Sequence, residues 1–148
     1  MRFAAVLLVG LAVLLPGAGQ AQPVGEYRII AIGDFGVGQL QGFWYYEAER
    51  SFRQVAALDP ECAMAYWGMA MANTNNPERA AKFIKEADKR KAQGSRRERM
   101  WIEGLSDYYA DSKKDEKVRR GAVVAALENL TFEFPDDLEA KAFLVVEI

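Results

Sequence analysis

Three separated segments carry the same apolar spacing. In "YEAERSFRQVAALDP" it places Ala48, Phe52 and Val55 at i, i+4 and i+7; in "ERAAKFIKEADK", Ala80, Ile84 and Ala87; in "GAVVAALENLTFEFP", Val123, Leu127 and Leu130. At 3.6 residues per turn each trio lies on one helical face. A strand would need alternation, and nothing after Gly42 alternates, so the body reads as all-α.

Between these segments lie helices with bulkier faces. "CAMAYWGMAMAN" places Ala63, Tyr66, Met69, Ala70 and Asn73 on one side and turns Trp67 and Met71 away, while "RERMWIEGLSDYYAD" presents Trp101, Leu105 and Tyr108. The punctuation fits this division. Ser95 and Glu98 form a capping-box pattern, and Asn76-Pro77 sets a cap residue before a proline suited to a first helical turn. Asp59-Pro60 reads the same way for the helix that carries Trp67. "ADSKKDEK", Ala110 to Lys117, is a polar loop fraying into the next helix. Asp136, Asp137 and Glu139, just after Pro135, read as a helix N-terminal cap rather than a pair of catalytic acids.

No one of these helices can bury its stripe alone, and the stripe recurs, which is the pattern of stacked helical repeats. The separation of Pro60 and Pro135 accommodates two units. The anchors Ala48, Ala80 and Val123 show that the units are unequal, the longer one holding the polar loop.

The chain begins with Arg2, an apolar run from Phe3 to Leu15, then Pro16-Gly17 and small residues to Ala21. The run falls well short of the roughly 20 residues that span a bilayer. Residues 1–21 therefore read as a secretory signal peptide, with export to a periplasmic or extracellular location and no stable membrane span in the mature chain. Residues 22–34 read as an extended or frayed arm and 35–148 as the helical domain. Cys62 is the only cysteine, so export brings no internal disulfide, and it is expected as a small buried hydrophobe.

The sequence contains no histidine. Ser-His-Asp and Cys-His hydrolases, histidine-held zinc and histidine-ligated haem are excluded by inventory. The formal net charge of −2 argues against general nucleic-acid binding. Lys82, Lys85, Lys89, Arg90, Lys91, Arg96, Arg97 and Arg99 form a basic run, but Glu86, Asp88 and Glu98 interrupt it, and it reads as a solvated face. Of the aromatic run Phe43 to Tyr46, Trp44 is expected at the surface and the rest in packing. No cofactor is expected.

The stretch "YYEAERSFRQVAALDPECAMAYWGMAMA", Tyr45 to Ala72, resembles the tetratricopeptide repeat family. Tyr45, Ala48, Phe52 and Pro60 fall on that family's aromatic, alanine, aromatic and proline positions. Trp101 and Tyr108 match its tryptophan and second-aromatic positions, and "CAMAYWG" is similar to a variant in exported bacterial members. Gly104-Leu105 reverses the family's Leu-Gly order, and no proline follows Ala87.

The resemblance implies antiparallel helix pairs stacked as a short right-handed solenoid whose inner helices line a concave groove for a protein or peptide. It nominates Met64, Trp67, Met71 and Asn75 in one unit and Ile102, Ser106 and Tyr109 in the next, with Trp67 the anchor and Asn75 bonding a peptide backbone. It also gives Ile32, Phe35 and Gly36 places in a first repeat helix.

Two other readings stay open. "IIAIGDFG" resembles the first metal-binding strand of metallophosphoesterases, with Asp34 after an apolar strand, although that family's sites need several histidines. On that reading the helices are an accessory to a phosphoesterase strand at residues 27–34. The last stretch, "KAFLVVEI", is an apolar helix start with no second helix to cover it. It points to a longer repeat protein or to self-association through this C-terminal helix.

Overall fold

The computed structural model describes Leu40 and residues 44–147. The expected signal peptide and arm, Asp34 and the expected first-helix residues Ile32, Phe35 and Gly36 lie outside the described residues. Those described are all-helical, with six α-helices, one 3-10 turn and no strand among them. The helices are α1 (Tyr45–Leu58), α2 (Ala63–Met71), α3 (Pro77–Arg90), α4 (Arg96–Ala110), α5 (Glu116–Glu133) and α6 (Leu138–Glu147). Each packs on the next in the chain, and α2 also reaches α4. Among the described residues no helix is long and apolar enough to cross a membrane.

The recurring stripe is the buried face of the odd-numbered helices. Ala48, Phe52 and Val55 are buried on α1, Ala80, Ile84 and Ala87 on α3, and Leu127 and Leu130 on α5, where Val123 is half-buried. Helix ends follow the local chemistry. The Ser95 hydroxyl accepts from the Glu98 amide at 3.2 Å while the Glu98 carboxylate accepts from the Ser95 amide at 2.6 Å, so two free N–H groups are satisfied where α4 begins. Asn76 caps α3 by accepting from Arg79 N at 3.2 Å, with Pro77 in the first turn. Asp115 caps α5 through Lys117 N, and Asp137 accepts from Ala140 N at the start of α6.

Asp59-Pro60 is a correction. The Asp59 carboxylate closes a turn by accepting from Glu61 N at 3.0 Å, and α2 starts only at Ala63, behind Cys62 and without a side-chain cap. A short aspartate side chain that bonds two residues ahead stabilises a turn in place of a helix start. Cys62 itself is half-buried rather than buried.

Two close approaches set the spacing of the helices. A Cβ on Gly68 would fall 2.4 Å from the Phe52 ring, so α2 lies directly on α1, and a Cβ on Gly104 would fall 2.9 Å from the Ala126 methyl where α4 meets α5. Helix α2 is apolar nearly all round, with Ala63, Ala65, Trp67, Gly68, Met69 and Ala70 buried, as a helix covered on several sides must be.

Even-numbered helices meet at three rings. Trp67 of α2, Trp101 of α4 and Phe143 of α6 form an edge-to-face triangle with centroid separations of 5.2, 6.2 and 5.4 Å. Each such pair adds about 0.5–1.5 kcal/mol beyond the area it buries. At one flank, buried Asn73 donates to Glu49 at 2.9 Å and to the Met69 carbonyl at 2.8 Å, while Glu49 also accepts from Arg53 and Arg79. Glu49 thereby links α1, α3 and the turn after α2.

Candidate partner-binding surface

The structure separates the seven nominated groove residues by burial. Met64 and Met71 are half-buried, Asn75 is exposed on the turn after α2, and Ser106 and Tyr109 on α4 are half-buried. Trp67 and Ile102, only 2% and 0% exposed, are core residues. Placing Trp67 away from the packing side is therefore corrected. The spacing of α2 supposes one packed side, whereas α1, α3 and α4 all lie against this nine-residue helix, and none of its sides is left for a large apolar ring. Ile102 is enclosed for a similar reason, since α4 is packed against α2, α3 and α5.

Trp67 and Met71 do come together, in a cavity of about 30 Å³ between α2, α4, α5 and α6. Trp67, Trp101, Leu105 and Phe143 are its buried floor, and half-buried Met71, Met100, Val123 and Ala126 form its rim. Met64, Asn75, Ile102, Ser106 and Tyr109 are not part of this lining. The volume suits a methyl group or a single water, far below the roughly 300 Å³ of a small-molecule pocket. The Trp67 indole N–H, closed from solvent, has no acceptor. The lining offers an apolar contact surface with no acid, base or nucleophile. Two of the rim residues are methionines, whose unbranched side chains adapt to varied partners.

Met100 and Phe143 are the parts of this site that periodicity misses. Met100 falls outside the Trp101 stripe, and Phe143 sits in a stretch read as an uncovered helix start. The large aromatic in each even-numbered helix was the available signal: Phe143 takes on α6 the role of Trp67 on α2 and Trp101 on α4.

Five of the eight cations of the basic run are held in ion pairs. Lys89 and Arg90 meet Glu86, Lys91 meets Asp88 and Glu103, Arg96 meets Glu133, and Arg97 clasps Asp137 with bonds of 2.7 and 2.8 Å. Lys82 and Lys85 remain exposed. Burial raises the Asp137 carboxyl, but bonds from Arg97 and the Ala140 amide outweigh it and hold it below the usual aspartate value. Of the three acids after Pro135, Asp137 is the one that caps α6.

Burial, then the neighbouring Tyr108, pushes the Tyr109 phenol up to about 12. Burial also raises the Cys62 thiol, which disfavours its nucleophilic form. Among the described residues no three or more His, Cys, Asp or Glu side chains gather as a metal site. In the aromatic run Tyr46 is more exposed than Trp44, 79% against 65%, so the surface holds both rings and not Trp44 alone.

No family model, curated protein or solved structure matches the chain.

Proposed function

We propose that the chain is a non-catalytic, exported scaffold of tetratricopeptide-like helix pairs, stacked as a short right-handed solenoid, that binds a protein or peptide along its even-numbered helices. The observation that carries this reading is the alternation of roles along the chain. Odd-numbered helices present the same i, i+4, i+7 stripe, even-numbered helices each send one large aromatic ring to a shared centre, and α2 touches α4 across the intervening helix. A repeated two-helix unit produces that alternation, because equivalent helices in successive units stack on each other. The export assignment rests on residues 1–21.

Burial moves the binding contacts outward from Trp67. The accessible apolar groups are Met71, Met100 and Val123 at the rim of the notch, with Asn75 exposed on the following turn to bond a peptide backbone. A peptide anchored there would set an aliphatic side chain over the rim, where packing against a rigid aromatic floor favours a small number of dominant contacts.

The test is selection of a displayed random-peptide library on the full chain and on Met71→Glu. An enriched sequence class with an apolar anchor, lost in the variant while its helical circular dichroism is retained, is the expected result. Enrichment that the variant leaves intact would remove the notch from the binding site.

A further inference from the structure

Among the described residues, half-buried arginines are matched to oxygen acceptors with one exception. Arg90 donates to the Pro60 carbonyl and to Glu86, Arg97 to Asp137, and Arg99 to the Gly94 carbonyl. Arg119, near the start of α5, is held differently. Its guanidinium carbon lies 4.6 Å from the centroid of the Tyr108 ring, its Nε is closed from solvent without an acceptor, and among the described residues no carboxylate pairs with it.

In the connection that leads into α5, Asp111 accepts from Lys113 N and Asp115 from Lys117 N, each holding its own turn. Of the Arg119 nitrogens only Nε is closed from solvent without a partner, and the face of one ring is a weaker match for a guanidinium than a carboxylate is.

The surroundings add donors. Tyr108 packs edge to face on Tyr109 at 4.8 Å, and Tyr109 senses the Arg119 charge, which lowers its phenol against the larger raising effect of burial. The phenol therefore stays protonated at neutral pH, with its O–H able to donate. Ser106, one turn before Tyr109 on the same face of α4, has a buried hydroxyl with no partner. A guanidinium over a ring face, on a hairpin that also carries hydroxyl donors and without a paired carboxylate, suits an oxyanion.

We infer that the corner of the α4–α5 hairpin formed by Arg119, Tyr108, Tyr109 and Ser106 is a subsite for a carboxylate of a bound peptide, either an acidic side chain or a chain end. It rests on the peptide-binding reading above and extends it to an acidic partner. The guanidinium lies over the Tyr108 ring, and the carboxylate meets its terminal nitrogens.

The test is a side-chain NMR titration of the isotope-labelled full chain with sodium acetate, with sodium chloride as control at equal ionic strength. The Arg119 N–H signals should move saturably with acetate and not with chloride, while those of Arg90 and Arg97 stay in place. N-acetylglutamic acid 1-amide carries only a side-chain carboxylate and N-acetylalanine only a terminal one, so the tighter of the two identifies the source.

Arg119→Lys keeps the charge but loses the planar fork, and should weaken binding about tenfold or more; an unchanged amide spectrum will verify its fold. No saturable movement, or parallel movement of all arginines, overturns the subsite. Peptides selected equally well by Arg119→Lys would overturn it while leaving the scaffold reading intact. Saturation of Arg119 in a chain that selects no peptide would leave the subsite standing and remove the scaffold reading.

Discussion

Replacing Trp67 with alanine separates a core tryptophan from a groove anchor. The side chain is 2% exposed and touches the rings of both Trp101 and Phe143, so truncation opens a void beside the existing cavity. Such truncations of large aromatics remove about 3–5 kcal/mol. The indole N–H has no acceptor, and removing an unsatisfied buried donor offsets about 1 kcal/mol or more of that loss, which places the expected cost at the lower end, about 3 kcal/mol.

With a urea dependence of about 2 kcal/mol per molar, the unfolding midpoint followed by circular dichroism should fall by about 1.5 M. Trp67→Phe keeps a ring in the triangle and deletes the orphan donor, so it should cost less than about 1.5 kcal/mol. A Trp67→Ala protein destabilised by under about 1 kcal/mol would refute the placement of this ring at the centre of the core.

Other perturbations test separate parts of the fold. Gly68→Ala should destabilise by about 1–3 kcal/mol, because its Cβ meets the Phe52 ring, whereas Gly121→Ala, in open space on α5, should stabilise by about 0.5–1 kcal/mol; thermal melts compare the two. Ser95→Ala removes one half of the capping box and should cost about 1 kcal/mol in urea unfolding.

The Asp137 carboxyl titrates lower in the folded chain than in the unfolded one. Its contribution is therefore complete above the ordinary aspartate value of 3.8 and lost as pH falls through the folded value below it. The stability difference between the native chain and Asp137→Asn should accordingly be constant near neutral pH and shrink as the pH is lowered below that ordinary value. A difference independent of pH would exclude the Arg97–Asp137 pair as its source.

The sequence was most legible where one periodic signal met one packing surface. The three stripes are the buried faces of α1, α3 and α5, and Ser95, Asn76 and Asp137 cap helices because their short polar side chains satisfy free amides within a few residues of themselves. Those are local interactions, and local sequence encodes them.

Trp67 and Ile102 were misplaced because periodicity identifies one apolar face and is silent on how many neighbours a helix has. On α2 three helices make the supposed outer face a second interior one. The notch was illegible for the same reason: Met71, Met100, Val123 and Phe143 come from four helices, and no spacing within one helix records their meeting. Neither the stripes nor the caps of the sequence single out Arg119. Only the placement of Tyr108 beneath Arg119, with no carboxylate paired to it among the described residues, distinguishes it from the paired arginines.

On α5 and α6, Phe132, Leu138 and Val145 are among the most exposed large apolar side chains, with Phe132 90% exposed. None of them is in the notch lining, which makes them useful controls, since a glutamate at Phe132 should leave notch binding unchanged.

Binding through the even-numbered helices is tested most directly by the affinity of one library-selected peptide for the native chain, for Met71→Glu and for Phe132→Glu, measured by titration calorimetry. The account predicts at least about a tenfold loss in Met71→Glu, since burying a charge against an apolar floor is costly, and no change in Phe132→Glu. Equal binding by the native chain and Met71→Glu, or loss confined to Phe132→Glu, would contradict it.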